Sequence, residues 1–203
     1  AGLVSEVKSV YVTSASQYSG EGDETITLND ATASTINASD LSAIGGATSA
    51  TVTVSNAINI TGTVSELKEA LVDSGTKVVI SGSTNVTATD VGNSSDLSGI
   101  NPGGTLTGQL SSGVDISGNG NLSTVDAYTL NNNASVTMSI AQNNLITAAS
   151  GTNTVTISDA GTFSGVASVE VYNLAAGTNV FTMANGGQTV VGNTGTDEIV
   201  LDI

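Results

Sequence analysis

Carboxylates are the main side chains of this sequence that could do chemistry. The chain has 18 aspartates and glutamates, three lysines and no arginine, and it lacks histidine, cysteine and tryptophan. Imidazole bases, thiolate nucleophiles and Cys/His zinc sites are therefore excluded. The aspartates are scattered through turns, where Asp is common anyway, and they form no clustered pair of the kind that glycoside hydrolysis needs. We predict that the chain is not an enzyme.

Two glycine-rich nonapeptides lie near the two ends of the sequence. Residues 19–27 (SGEGDETIT) and 192–200 (GNTGTDEIV) resemble G-G-x-G-x-D-x-U-x, the calcium-binding β-roll repeat of repeats-in-toxin proteins. Both copies depart from that pattern: Ser19 replaces the first Gly of one copy, and Asn193 replaces the second Gly of the other.

The resemblance implies a Ca²⁺ cofactor at these two ends. In that family neighbouring turns share each ion, because a hard cation needs six or more oxygen ligands and one turn cannot supply them. The ligands expected from the resemblance are Glu21, Asp23, Glu24 and Asp197. The alternative interpretation is that both nonapeptides are solvated glycine turns that lead into strands.

A wider resemblance rests on composition. Residues 165–170, 176–182 and 188–192 resemble the β-strand repeats of bacterial surface-layer proteins and type I-secreted adhesins. This resemblance implies an extracellular, self-associating scaffold, often assisted by calcium, whose export signal need not lie in this part of the chain.

Charge and composition restrict the partners. The net charge of -15 excludes recognition of a phosphate backbone, so we expect no nucleic acid partner. No apolar run approaches eighteen residues, so we expect no membrane insertion. Abundant Gly, Ser, Thr and Asn with few basic residues favour a secreted or cell-surface protein. A cell-surface glycan is a possible partner.

Short runs with apolar residues at alternate positions predict half-buried strands. Eight such runs begin about 18 to 30 residues apart, a spacing typical of solenoids. The runs are residues 25–28, 51–54, 77–80, 105–108, 135–138, 154–157, 180–183 and 198–201. We predict that they stack as one sheet of a right-handed parallel β-helix, a β-solenoid, with their apolar residues inside. The alternative is an antiparallel β-sandwich, which also has short, regularly spaced strands.

The domain prediction has two parts. Residues 24–203 form the β-solenoid domain, with one short helix at residues 64–72. Residues 1–23 are a cap or linker that contains a leading strand at residues 7–13.

The predicted function is extracellular assembly as a surface-layer lattice, a filament or an adhesin scaffold. The ends of a solenoid present unpaired N–H and C=O groups that must be capped or joined to a neighbour. The residues predicted to form these assembly surfaces are Val7, Val10 and Val12 at one end and Ile199 and Leu201 at the other. The alternative is a surface module that binds glycan or ice, for which threonine pairs on stacked strands would form a flat array.

Overall fold

The computed structural model describes residues 1–17, 22–73, 75 and 77–201. Short strands stack in parallel as a β-solenoid, which confirms the predicted all-β parallel β-helix and makes the antiparallel β-sandwich wrong. The chain divides into two compact units. The first contains Ala1–Thr89 and Leu97–Thr107, and the second contains Asp90–Asp96 and Gly108–Ile203.

The first unit combines short strands with short helices. Its strands are β1 (Ile26–Leu28), β2 (Thr35–Asn37), β3 (Val52–Val54), β4 (Asn59–Gly62), β5 (Val78–Val79), β6 (Thr84–Val91) and β7 (Gly103–Leu110), of which the last two end in the second unit. Its helices are α1 (Val4–Lys8), α2 (Ala38–Gly46) and α3 (Val64–Leu71), with a π-helical turn at Ser9–Thr13 and a 3-10 turn at Ala15–Gln17.

Turns of the first unit repeat at nearly constant length. Strands β1, β3 and β5 form one sheet, in which Val52 lies between Ile26 and Val78. Strands β2, β4 and β6 pair in a second sheet. The Asn85 amide donates to the Asn59 Oδ1, 26 residues earlier, at 3.1 Å. The predicted alignment of the runs that begin at residues 25, 51 and 77 is therefore confirmed.

Helices are more numerous than predicted. The predicted helix at residues 64–72 is α3, whose first turn is closed by reciprocal hydrogen bonds between Thr63 and Glu66. The prediction of a single helix is wrong, because α2 follows β2 as α3 follows β4 and the two helices pack together. Leu41, Ile44 and Leu67 are completely buried in this layer.

The predicted leading strand at residues 7–13 is wrong. This segment is helical: α1 ends at Lys8 and the π-helical turn follows. The Glu6 carboxylate accepts the Leu3 N–H at 3.0 Å, and Val4 and Val7, which share a helix face, are buried. Burial of that face outweighs the strand preference of the β-branched residues.

The second unit has shorter turns. Its strands are β8 (Val114–Asp115), β9 (Ala127–Leu130), β10 (Ser135–Met138), β11 (Ile146–Ala149), β12 (Thr154–Ile157), β13 (Thr162–Ser164), β14 (Val171–Asn173), β15 (Gly177–Met183), β16 (Thr189–Val191) and β17 (Gly195–Leu201). A 3-10 turn spans Gly120–Leu122, and the one-turn helix α4 spans Ile140–Asn143.

The predicted single sheet is wrong. In the second unit, one sheet has the order β8-β10-β12-β14-β16 and another has β13-β15-β17, while β9 pairs with β11. Hydrogen bonds between turns span 22 to 26 residues near β8, and several further along the chain span only 17 to 19 residues. The runs that begin at residues 154 and 180 were predicted to be neighbours, but their separation of 26 residues is longer than one turn here. They therefore do not pair: β12 pairs with β14, and β15 pairs with β13.

The core of the second unit is aliphatic with one aromatic cluster. Phe163 and Phe181 meet edge to face with ring centroids 5.0 Å apart, and the Tyr172 ring lies 4.9 Å from Phe181. Val136, Val155 and Tyr172 stack in the interior of one sheet and are buried. Period-2 alternation therefore identified the interior face of these strands.

Candidate functional site

The candidate site is the outer edge of β17, the last strand of its sheet. Seven residues of β17 pair in register with β15, from Gly195 opposite Gly177 to Leu201 opposite Met183. No strand of the described part of the chain pairs with the other edge of β17. That edge therefore presents a row of backbone N–H and C=O groups to whatever lies beside it.

Interior-facing side chains become exposed at this edge. Phe181 and Met183 of β15 are 0% and 9% exposed, whereas their register partners Ile199 and Leu201 are 41% and 58% exposed. Phe181 and Ile199 form one column on the interior face, and Met183 and Leu201 form the next, so β17 carries core-type side chains with no described strand beyond them. Val200, on the opposite face, is 36% exposed.

A stacked corner holds β17 in place. Gly177 and Gly195 lie opposite each other with φ of 122° and 135°, values that favour glycine. Two positions further along each strand, the buried Asn179 donates to the Asp197 Oδ1 at 2.7 Å and accepts the Gly161 N–H at 3.3 Å. The corner thus continues from turn to turn through side chains.

Asp197, a predicted calcium ligand, is engaged within this corner. Its Oδ1 accepts the Asn179 amide, and its Oδ2 accepts the Asn193 N–H at 3.2 Å. One carboxylate oxygen therefore binds the turn that precedes β17, and the other binds the neighbouring strand β15. The structure gives Asp197 a role in shaping the corner that the resemblance did not indicate.

Two of the predicted amino-terminal ligands, Asp23 and Glu24, directly follow Gly22. Asp23 is exposed, and the Glu24 carboxylate accepts the Gly22 N–H at 2.8 Å, a hydrogen bond that lowers the pKa of Glu24. Glu21 lies outside the described residues. Within the described ranges, no three acidic side chains gather closely enough to hold a metal ion.

The amino-terminal residues predicted for assembly have different environments. Val7 is buried in α1, Val10 is half-buried and Val12 is exposed. Gly2 pairs with β1: its N–H donates to the Thr27 carbonyl at 3.0 Å, and its carbonyl accepts the Asn29 N–H at 3.1 Å. The outer edge of β1 is therefore covered by the chain itself.

Threonine pairs that could form an ice-binding array lie in three different sheets. Thr27 and Thr53 are neighbours on β1 and β3, but residues 105 and 107 belong to β7, and Thr154 and Thr156 belong to β12. Along the β12 sheet, Asn173 and Val191 continue the column of Thr156. These pairs form no single flat array of threonine.

Charge is unevenly distributed along the chain. Lys8, Lys68 and Lys77 all belong to the first unit, so the second unit contains no basic residue. Asp197 and Glu198 lie on β17 beside its apolar residues. The candidate site is therefore an apolar strand edge in an acidic setting.

Sequence reasoning missed Val191 and Val200 as exposed apolar residues. Val191 is on β16, the terminal strand of its own sheet. Their apolar alternation looks like that of any other strand in the chain, so only the position of the strand at the end of its sheet distinguishes them.

Comparison with known proteins returned no match to a family model, a curated protein or a solved structure. In the described part of the chain, every helix is too short or too polar to cross a membrane.

Proposed function

We propose that this protein is a non-enzymatic structural protein of the cell exterior that associates with copies of itself through the outer edge of β17. The observation that carries the proposal is the exposure of Ile199 and Leu201, which continue the two buried columns of Phe181 and Met183. A second copy placed on this edge would bury both side chains and pair the free backbone groups.

Burial of apolar side chains and backbone pairing at this edge would favour association. Complete burial of one Leu or Ile side chain contributes about 1.5–3 kcal/mol. Two such residues from each copy, together with backbone hydrogen bonds of about 1 kcal/mol each, offset a large part of the entropy lost on association. Extracellular location is supported by the scarcity of basic residues and the abundance of Ser, Thr, Asn and Gly.

Calcium enters the proposal as an assisting ion. Copies that each carry a net charge of -15 repel one another, and the acidic residues beside β17 add to this repulsion at the contact. Divalent cations reduce such repulsion more than sodium does at equal concentration, because screening depends on the square of the ionic charge. We therefore expect association to be stronger with calcium.

The test compares Leu201→Asp with Val79→Asp by sedimentation velocity over a range of protein concentrations. Val79 is an equally suitable site for a charge, because it is 53% exposed and lies on the edge strand β5. We expect Leu201→Asp to weaken self-association at least about tenfold, since tenfold corresponds to about 1.4 kcal/mol. Val79→Asp should leave it unchanged.

Electron microscopy of the same samples, with and without calcium, gives the size of the assemblies. Wild-type protein that stays monomeric at all concentrations, or Leu201→Asp protein that associates as well as wild type, contradicts the proposal.

A further inference from the structure

We propose that Asn185 is a site of spontaneous deamidation, a reaction that converts asparagine into aspartate or isoaspartate. Asn185 lies in the exposed turn between β15 and β16 and is followed by Gly186 and Gly187. An asparagine that precedes glycine is the most open to this reaction, because glycine has no Cβ to hinder the approach of its backbone nitrogen. The modification does not depend on association at β17.

The reaction needs no co-reactant except water. The Gly186 backbone nitrogen attacks the Asn185 Cγ and forms a new C–N bond, while the bond between Cγ and Nδ2 breaks. The side-chain amide leaves as ammonia and takes up the proton that the Gly186 nitrogen loses. Water then opens the resulting succinimide ring at either carbonyl group, which gives aspartate or isoaspartate.

The turn favours attack on the Asn185 amide. The Gly187 N–H donates to the Asn185 Oδ1 at 2.9 Å, which is the oxygen where negative charge develops as the Gly186 nitrogen adds to Cγ. A donor at this position stabilises the intermediate in the same way as an oxyanion hole. The Gly186 N–H donates to no group in the described part of the chain, so no hydrogen bond has to break before its nitrogen attacks.

The other Asn-Gly sequence of the chain, Asn119–Gly120, is held more firmly. The Asn119 Oδ1 likewise accepts an N–H, from Asn121 at 3.0 Å. However, the Asn119 amide donates to the Asn93 and Ser95 carbonyls at 3.2 and 2.8 Å, and Gly120 begins a 3-10 turn. These contacts restrain both the Cγ that would be attacked and the nitrogen that would attack it.

Asn185 is more exposed than Asn119 and less restrained. Among the described residues its amide donates to one group, the exposed Ala167 carbonyl, at 2.9 Å. Deamidation removes this hydrogen bond, because a carboxylate cannot donate to a carbonyl. Isoaspartate also lengthens the main chain of the turn shortly before Gln188, which is buried and accepts the Ala184 N–H at 2.7 Å. We therefore expect the modified turn to open more often than the original one.

The test follows both Asn-Gly sequences by peptide mapping and mass spectrometry during incubation at mildly alkaline pH, with folded protein and with protein unfolded in concentrated urea. In the folded protein, Asn185 should deamidate at least about tenfold faster than Asn119, which corresponds to about 1.4 kcal/mol in the activation barrier. In urea the two rates should be similar, because both asparagines precede glycine and the contacts that restrain Asn119 are lost.

Gly186→Ala is the matched variant, because its added Cβ meets open space and the fold should be unchanged. Circular dichroism and the urea midpoint check that it folds as wild type does. We expect Gly186→Ala to slow deamidation at Asn185 and to leave the rate at Asn119 unchanged, since the Cβ hinders the attacking nitrogen at that one site.

Equal rates at Asn185 and Asn119 in the folded protein overturn the proposal, and so does a rate in Gly186→Ala that matches wild type. Hydrogen exchange reports the consequence for the turn. Residues 184–189 should exchange faster in wild-type protein after incubation than in Gly186→Ala protein incubated for the same time. Equal exchange after full conversion of Asn185 would contradict the expected opening of the turn.

Discussion

Replacing Tyr128 by phenylalanine should stabilise the protein. Tyr128 is completely buried, and its hydroxyl has no hydrogen-bond partner among the described residues. Burying an unpaired hydroxyl costs about 1–3 kcal/mol. Removal of the hydroxyl leaves the aromatic ring where it is, packed against Gly108. A Cβ atom placed on Gly108 would lie only 3.1 Å from Cε1 of this ring. We expect Tyr128→Phe to raise the free energy of unfolding by about 1 kcal/mol.

Tyr172→Phe is the matched comparison, because its hydroxyl is fully used. It donates to the Asn143 Oδ1 at 3.0 Å and accepts the Val166 N–H at 2.8 Å. Loss of this hydroxyl removes a partner from both groups, and Asn143 is completely buried. We expect Tyr172→Phe to lower the free energy of unfolding by about 2–4 kcal/mol.

Both substitutions belong to the second unit, so urea denaturation followed by far-ultraviolet circular dichroism measures them in the same part of the chain. The two variants should differ by about 3–5 kcal/mol in free energy of unfolding, with opposite signs relative to wild type. A loss of stability in Tyr128→Phe, or an unchanged stability in Tyr172→Phe, would refute the reasoning about these two hydroxyls.

Two further predictions concern pH and the corner before β17. Burial raises the pKa of Tyr128 and Tyr172 to about 12, so above about pH 10 the unfolded chain loses these protons before the folded protein does, and stability should fall as pH rises from 10 to 12. Urea midpoints measured across this range check the sign, and a double Phe variant should show a weaker pH dependence. Gly195→Ala should cost more than about 1 kcal/mol, because φ is 135° and the added Cβ would overlap the Gly177 carbonyl. Hydrogen exchange of residues 196–201 should then become faster, whereas Gly186→Ala, with open space around its Cβ, should have no effect.

Local alternation predicted the strands and their interior faces well. Ile26, Val52, Val136 and Val155 lie inside, as the period-2 pattern indicates, since side chains of a strand alternate between its faces. The runs at residues 135 and 154, and those at residues 180 and 198, pair in the predicted register. Adjacent turns of similar length keep this alignment.

Assignment of strands to sheets could not be predicted in the same way. Hydrogen bonds between turns span 26 residues at β4 and β6 but as few as 17 to 19 residues in the later part of the second unit, so an alignment made with one period fails where the turn length changes. Turn length depends on whether helices such as α2 and α3 are inserted between strands. Residues 7–13 show the same limit, because burial of Val7 in a helix depends on what it packs against.

The sequence by itself determined the class of fold and the lack of imidazole and thiol side chains, because alternation and composition are properties of the chain itself. Only the tertiary structure decided which edge is covered and which is free. Val7 and Leu201 are both apolar residues near an end of the chain, yet Val7 is buried and Leu201 is 58% exposed. The difference arises because Gly2 and α1 cover β1, whereas no described strand pairs with the outer edge of β17.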